Sequence, residues 1–190
     1  MVLSCKFSEI ILIFAAVKRV LTILFSLLCL GAAAQVRSYG DMDSKTFVIG
    51  LDSYFFGTSG ALDFSVGGTA WQASIAGSKV SVNGDLLLNG QGETLVGIHD
   101  FTGDNVVELV IGSRTSQGVV ARIYQLGGGK WKLIGKVGAF GSGVSEIRVF
   151  RQALTVKDKE SGALHTWTCH GGSFDFKSSA GGPDPTPSNL

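Results

Sequence analysis

Proline is almost missing from this chain. The three that occur, Pro183, Pro185 and Pro187, all lie in the last eight residues. A proline-free body suits paired strands, because proline cannot donate to a hydrogen-bonded ladder. Cysteine is as scarce: Cys5, Cys29 and Cys169. The first two fall in an N-terminal leader, so a processed chain keeps one cysteine and forms no internal disulfide. Its stability has to come from packing. Charge of one sign is also lacking, with 16 Lys and Arg against 15 Asp and Glu. The leader holds three of the bases (Lys6, Lys18, Arg19) and one acid (Glu9), which leaves 13 against 14, a net charge near −1. That balance gives no electrostatic reason to expect nucleic acid as a partner. Neither apolar run of the leader reaches the ~20 residues that span a bilayer, because Lys18 and Arg19 separate them.

What is present at the N-terminus is the order of a secretory signal peptide. Lys18-Arg19 precedes an apolar run from Val20 to Leu30, and Ala32-Ala33-Ala34 follows. Such an order predicts cleavage after Ala34 and a mature chain starting at Gln35, secreted or periplasmic. The apolar stretch ahead of Lys18 is unusual for a signal peptide and is explained by a true start at Val17. Residues 1–34 are thus read as leader and 35–177 as one all-β domain, with its strands from about Ser44. The segment 178–190, rich in Gly, Ser and Pro, is read as a disordered tail.

The body is made of short segments with a period of two, the mark of strands. "TAWQASIAG" puts Trp71, Ala73 and Ile75 on one face, and "KVSVNGDLLLNG" puts Val80 and Val82 together. "GVVARIYQL" sets Val119, Ala121 and Ile123 against Val120, Arg122 and Tyr124. "KWKLIGKVGAF" sets Trp131, Leu133 and Val137 against Lys130, Lys132, Ile134 and Lys136. Asn83-Gly84 between such segments is a strong hairpin cue. Turn signals at this spacing predict roughly nine to eleven strands in two packed antiparallel sheets.

One loop is crowded with oxygen. In "DFTGDNVVELVIG", Asp100, Thr102, Asp104, Val106 (through its carbonyl) and Glu108 occupy alternate positions. That alternation lets a chain curl round calcium at about 2.4 Å. The same residues can instead cap a turn by bonding their own backbone. The stretch resembles the FG-GAP or VCBS repeat of β-propeller proteins, D-x-D-G-D-G-x-x-D/E-L-x-V-G, and the likeness runs over 97–140. The resemblance implies a blade-like sheet, calcium as a possible ligand, and an extracellular protein. Thr102 in place of an acid and Asn105 in place of Gly depart from the repeat. A full propeller is excluded by length, since it needs at least four blades.

Other candidates were weighed against packing. Tyr54, Phe55 and Phe56 are three aromatics in a row, so one points outward as a ligand-binding group unless a second layer covers it. Cys169 and His170 are neighbours on a strand and face opposite ways, so they make no nucleophile–base pair. Three histidines (His99, His165, His170) lack zinc spacing. Asp104, Glu108 and Glu146 leave open a pair of carboxylates for glycoside hydrolysis. Lys130, Lys132 and Lys136 suit a solvated face or a guarded sheet edge. Together these features favour a secreted, non-enzymatic domain that binds an extracellular protein or carbohydrate. The alternatives are a small hydrolase of polysaccharide or peptidoglycan, and a subunit of a surface assembly joined through a strand edge.

Overall fold

Tight turns between short apolar strands set the architecture. Asn83 and Gly84, with φ of 47° and 91°, form a two-residue turn that pairs Val82 with Asp85. Both torsions are positive, as the twist of a hairpin demands, and Asn and Gly tolerate them best. Two-residue turns of this kind recur, and each folds the chain back on its neighbour.

The computed structural model describes residues 37–38, 46–90, 92–141 and 143–186. Its strands are β1 (Arg37–Ser38), β2 (Val48–Ile49), β3 (Ser53–Phe56), β4 (Ser59–Val66) and β5 (Thr69–Ala76). There follow β6 (Lys79–Val82), β7 (Asp85–Asn89), β8 (Glu93–His99), β9 (Glu108–Thr115) and β10 (Gly118–Gly127). The last are β11 (Lys130–Phe140), β12 (Ile147–Phe150), β13 (Ala153–Lys157), β14 (Leu164–His170) and β15 (Ser173–Ser178). They form a six-stranded sheet β1-β3-β8-β9-β10-β11, a five-stranded sheet β15-β14-β13-β12-β2 and a four-stranded sheet β4-β5-β6-β7. Three successive antiparallel meanders, β4–β7, β8–β11 and β12–β15, supply most of this. Strand β2 extends the five-stranded sheet by pairing parallel with β12, Val48 beside Ile147.

The six-stranded sheet lies in the middle. Leu95, Val110, Val119, Ala121 and Ile123 pack on one side of it with Ile147, Leu154 and Trp167 of the five-stranded sheet. Val96, Leu109, Ile111 and Tyr124 pack on the other side with Leu62, Ala73, Ile75 and Val80 of the four-stranded sheet. Each fully buried Val, Leu or Ile contributes about 1.5–3 kcal/mol relative to exposure. The two cores hold these layers together without a disulfide; Cys169 is a free thiol.

The all-β reading of packed antiparallel sheets holds, and no helix occurs among the described residues. The layering goes further than expected: the described residues form three sheets of fifteen strands. The alternation read along β11 also breaks. A β-bulge lies opposite Ile123 and Tyr124, which pair with Gly135 and Leu133 and leave Ile134 extra. Trp131 therefore packs toward the four-stranded sheet, while Val137 packs toward the five-stranded one. Leu133 is left exposed. An inserted residue shifts every later side chain to the other face.

The tail is tied down as far as Thr186, where composition alone predicts disorder. The Ser179 amide donates to the Leu164 carbonyl at 2.9 Å. The indole N–H of fully buried Trp167 donates to Asp184 Oδ2 at 2.9 Å. Thr186 Oγ1 accepts the amide of Gly138, on the outer strand β11, at 3.2 Å. The leader, Val17 and Gln35 lie outside the described residues.

Gly97, on β8, shows how tightly the central sheet is packed beside β3 and the segment that leads into it. A Cβ there would meet Leu51 Cδ1 at 2.6 Å, the Ser53 carbonyl oxygen at 2.9 Å and Tyr54 Cβ at 3.1 Å. Overpacking of this sort costs about 1–3 kcal/mol. Gly97→Ala is expected to lower the unfolding free energy by that amount in urea denaturation; an unchanged midpoint would mean a looser contact than described.

Candidate functional site

The oxygen-rich loop joins β8 to β9, two antiparallel neighbours in the central sheet. Phe101 anchors it. The ring is fully buried between sheets, edge-on to His99 at 4.7 Å and to Phe174 at 5.8 Å. Leu109 and Ile111 enter the core just after it, as the apolar run "VVELVIG" predicts.

The acids of the loop are occupied by its own backbone. Asp100 Oδ1 accepts the Gly103 amide at 2.7 Å, and its Oδ2 accepts the Asn105 amide at 2.9 Å. Asp104 Oδ1 accepts the Val106 amide at 2.8 Å. These bonds hold Asn105 at a φ of 64°, a conformation Asn adopts more readily than most residues. Glu108 turns inward and is fully buried. Its Oε2 accepts the Phe101 amide at 2.8 Å, and its Oε1 takes hydrogens from Thr102 Oγ1 and Gln125 Nε2, each at 3.3 Å. Burial pushes the Glu108 carboxyl above its usual range, against these hydrogen bonds, which favour the charged form. From the neighbouring sheet, Gln152 Nε2 donates to the Thr102 carbonyl at 3.0 Å. Gln125 and Gln152 are partners that sequence reading missed, because each is far away in the chain.

Of the alternate positions, Asp100 Oδ1 and Glu108 Oε1 both lie near Thr102 Oγ1, at 3.5 and 3.3 Å, while Asp104 bonds the Val106 amide. Glu108 points into the core while Asp104 caps an exposed turn. Among the described residues there is no group of three or more His, Cys, Asp or Glu arranged to hold a metal ion. The hydrogen bonds of Asp100 and Asp104 to backbone amides are those of a capped polar turn.

The aromatics of β3 are packed and not presented. Tyr54 is buried on the side of the five-stranded sheet, where Phe56 meets Phe47 edge-on at 5.9 Å. Phe55 packs the other way, against the four-stranded sheet. Neighbouring layers thus cover Tyr54 fully and Phe55 and Phe56 in part.

Cys169 is buried and pairs with Phe174, while His170 pairs with Ser173 and is exposed. Burial raises the thiol above its usual range; the Gly172 amide opposes this and the Glu108 charge adds to it. A buried thiol held in its neutral form is a poor nucleophile. His99 Nε2 lies 2.7 Å from the Arg151 carbonyl oxygen, and its Nδ1 lies 3.1 Å from Asp52 Oδ1. Glu146 bonds Arg148, 2.6 Å from Nη2 and 2.8 Å from Nε. Lys130, Lys132 and Lys136 lie on β11, the outer strand of the central sheet, where lysine hinders edge-to-edge pairing.

The outward face of the five-stranded sheet is built differently. Register places Arg148, Thr155, Thr166 and Lys177 in one row and Phe150, Ala153, Thr168 and Asp175 in the next. Phe150 is 67% exposed and Leu164 44%. The Arg151 guanidinium lies over the Phe150 ring, 5.3 Å from its centroid. Beside these rows opens a pocket of about 480 Å³ lined by Ser145, Glu146, Arg148, Thr155, Lys157 and Lys159, with Leu164 as its apolar wall.

Comparison with protein-family models, with curated proteins and with solved structures gives no match.

Two outcomes are expected of the loop. A carboxyl whose folded pKa is raised binds its proton more tightly when folded. Its stabilising contribution is therefore full below the ordinary carboxyl range and declines as pH rises through that range to the folded value. Urea titrations across acid to neutral pH should show Glu108→Gln gaining on the wild type as pH rises; a constant difference would refute the linkage. Asp100→Ala removes two amide acceptors and should cost about 1–3 kcal/mol. If the loop is a polar turn, that loss is equal with millimolar calcium and with chelator. A wild-type melting temperature raised by calcium, and not in Asp100→Ala, would reinstate the cation loop.

Proposed function

We propose that the protein is an exported, non-enzymatic β domain that binds an extracellular ligand through the outward face of its five-stranded sheet. The observation that carries this is the exposure of Phe150 and Leu164 on a threonine-lined face beside an open pocket. Exposed aromatic and apolar groups set among polar ones mark recognition surfaces. The rest of the molecule supports the reading by what its reactive groups already do. The loop acids bind backbone amides, Glu108 secures Phe101, and the Cys169 thiol is buried away from His170. The meander β8–β11 spans Glu93–Phe140 and nearly coincides with the FG-GAP-like stretch 97–140, which favours a blade-like module of the extracellular kind.

Cosedimentation with a panel of insoluble polysaccharides and peptidoglycan tests this, with release of reducing ends measured in the same tubes. Binding without release is expected, and Phe150→Ser should weaken it at least about tenfold. Release of reducing ends would favour the hydrolase alternative. Strand β7, "DLLLN", supports a second reading, a subunit of a surface assembly. It is the outer strand of the four-stranded sheet, carries no lysine, and leaves Leu86 57% exposed. Self-association in sedimentation that Leu86→Lys abolishes would favour this reading.

A further inference from the structure

We infer that the pocket bounded by Ser145, Arg148, Thr155, Lys157 and Lys159 takes the anionic groups of an extended polymer, a class of ligand set by uncompensated positive charge. The inference rests on the binding-module reading above and names the chemistry of the ligand. Three cationic side chains line the pocket against one acid, Glu146, and that acid is engaged by Arg148. Lys157 and Lys159 have no ion-pair partner among the described residues.

The nearest acid in sequence, Asp158, is directed elsewhere. Its Oδ2 accepts the Ser161 hydroxyl at 2.6 Å and its Oδ1 accepts the Glu160 amide at 2.9 Å, so it serves its own turn. Neither Asp158 nor the following Glu160 lines the pocket, so the lining itself holds an excess of positive charge in a processed chain whose net charge is near −1. Clustered charge of one sign raises the local concentration of an oppositely charged ligand.

The pocket is also ordered on its strand side. Register fixes Arg148 opposite Thr155 and Lys157 opposite Leu164. Thr155 Oγ1 donates to the Arg148 carbonyl at 3.4 Å. Arg114 Nη2 donates to the Ser145 carbonyl at 2.7 Å and secures the connection into β12. Arg148, held in orientation by Glu146, can offer its remaining N–H groups to a carboxylate or phosphate. Lys157 and Lys159 add point charges, the hydroxyls of Ser145 and Thr155 suit sugar oxygens, and Leu164 offers apolar contact. A volume of about 480 Å³ falls within the range of small-ligand sites. The shared chemistry is a repeated anionic group, carried either by uronate sugars or by a phosphodiester chain.

Calorimetry separates the sources with three probes of similar length: a galacturonate oligomer, a glycerol-phosphate oligomer and a neutral dextran oligomer. At least one charged oligomer is expected to bind, more weakly as salt rises. Lys157→Glu with Lys159→Glu should weaken it at least about tenfold. Lys79→Glu, on the four-stranded sheet, should leave it unchanged. Equal loss in Lys79→Glu would reduce the effect to net charge and overturn the site. So would failure of both charged oligomers to bind. Binding of the neutral oligomer alone would overturn the anionic class and leave the binding-module reading standing. Reducing ends released from the galacturonate or dextran oligomer, or phosphomonoester from the glycerol-phosphate oligomer, would count against that reading itself.

Discussion

The central sheet is covered on both faces, and the other features of the domain follow from that constraint. A strand with cores on either side is buried along its length, and β9 is: all of Glu108 to Ser113 is buried. The four-stranded and five-stranded sheets have one core face each. They can therefore place serine, threonine and charge outward. Division of labour between the layers is then a matter of geometry. The middle sheet carries stability, and the outermost five-stranded sheet is free to carry recognition.

Glu108 is the polar exception in the middle sheet, and it explains the loop before it. An ionisable side chain in a core needs partners, and Glu108 finds the Phe101 amide, Thr102 and Gln125. Those bonds fix where the loop turns, and Phe101 fills the space between layers. Gln152 then links the loop to the adjacent sheet. The loop thus works as a fastener between two sheets, and its acids serve the fold.

Much of the fold was legible in the sequence. The period of two in Val119–Tyr124 and in Trp71–Ile75 placed the right residues on the right faces, and Asn83-Gly84 marked a true hairpin. The third sheet was less visible. The apolar run Leu109–Ile111 is what burial on both faces produces, yet a short run of this kind reads equally as one side of a two-sheet sandwich. The bulge in β11 left no local mark, because an extra residue looks like any other. For the loop, residue types could not say which way a carboxylate points, and that direction separates a cation site from a capped turn. The contacts of the tail show the same gap between composition and geometry. Composition reports that "PDPTP" cannot build a core, but not that Trp167 needs an acceptor and Asp184 supplies it.

The parallel pairing of β2 with β12 bears on how the chain assembles as it is made. The two strands are separated by roughly a hundred residues, and such distant contacts form late. Each meander can zip up from its own turns soon after it emerges. Strand β2 has no such neighbour and must wait until β12 is available. Until then Phe47, Val48 and Leu51, all buried in the finished domain, have no complete site to occupy. Strand β2 is thus a closing element, and a growing chain carries an incompletely covered apolar segment until β12 is made.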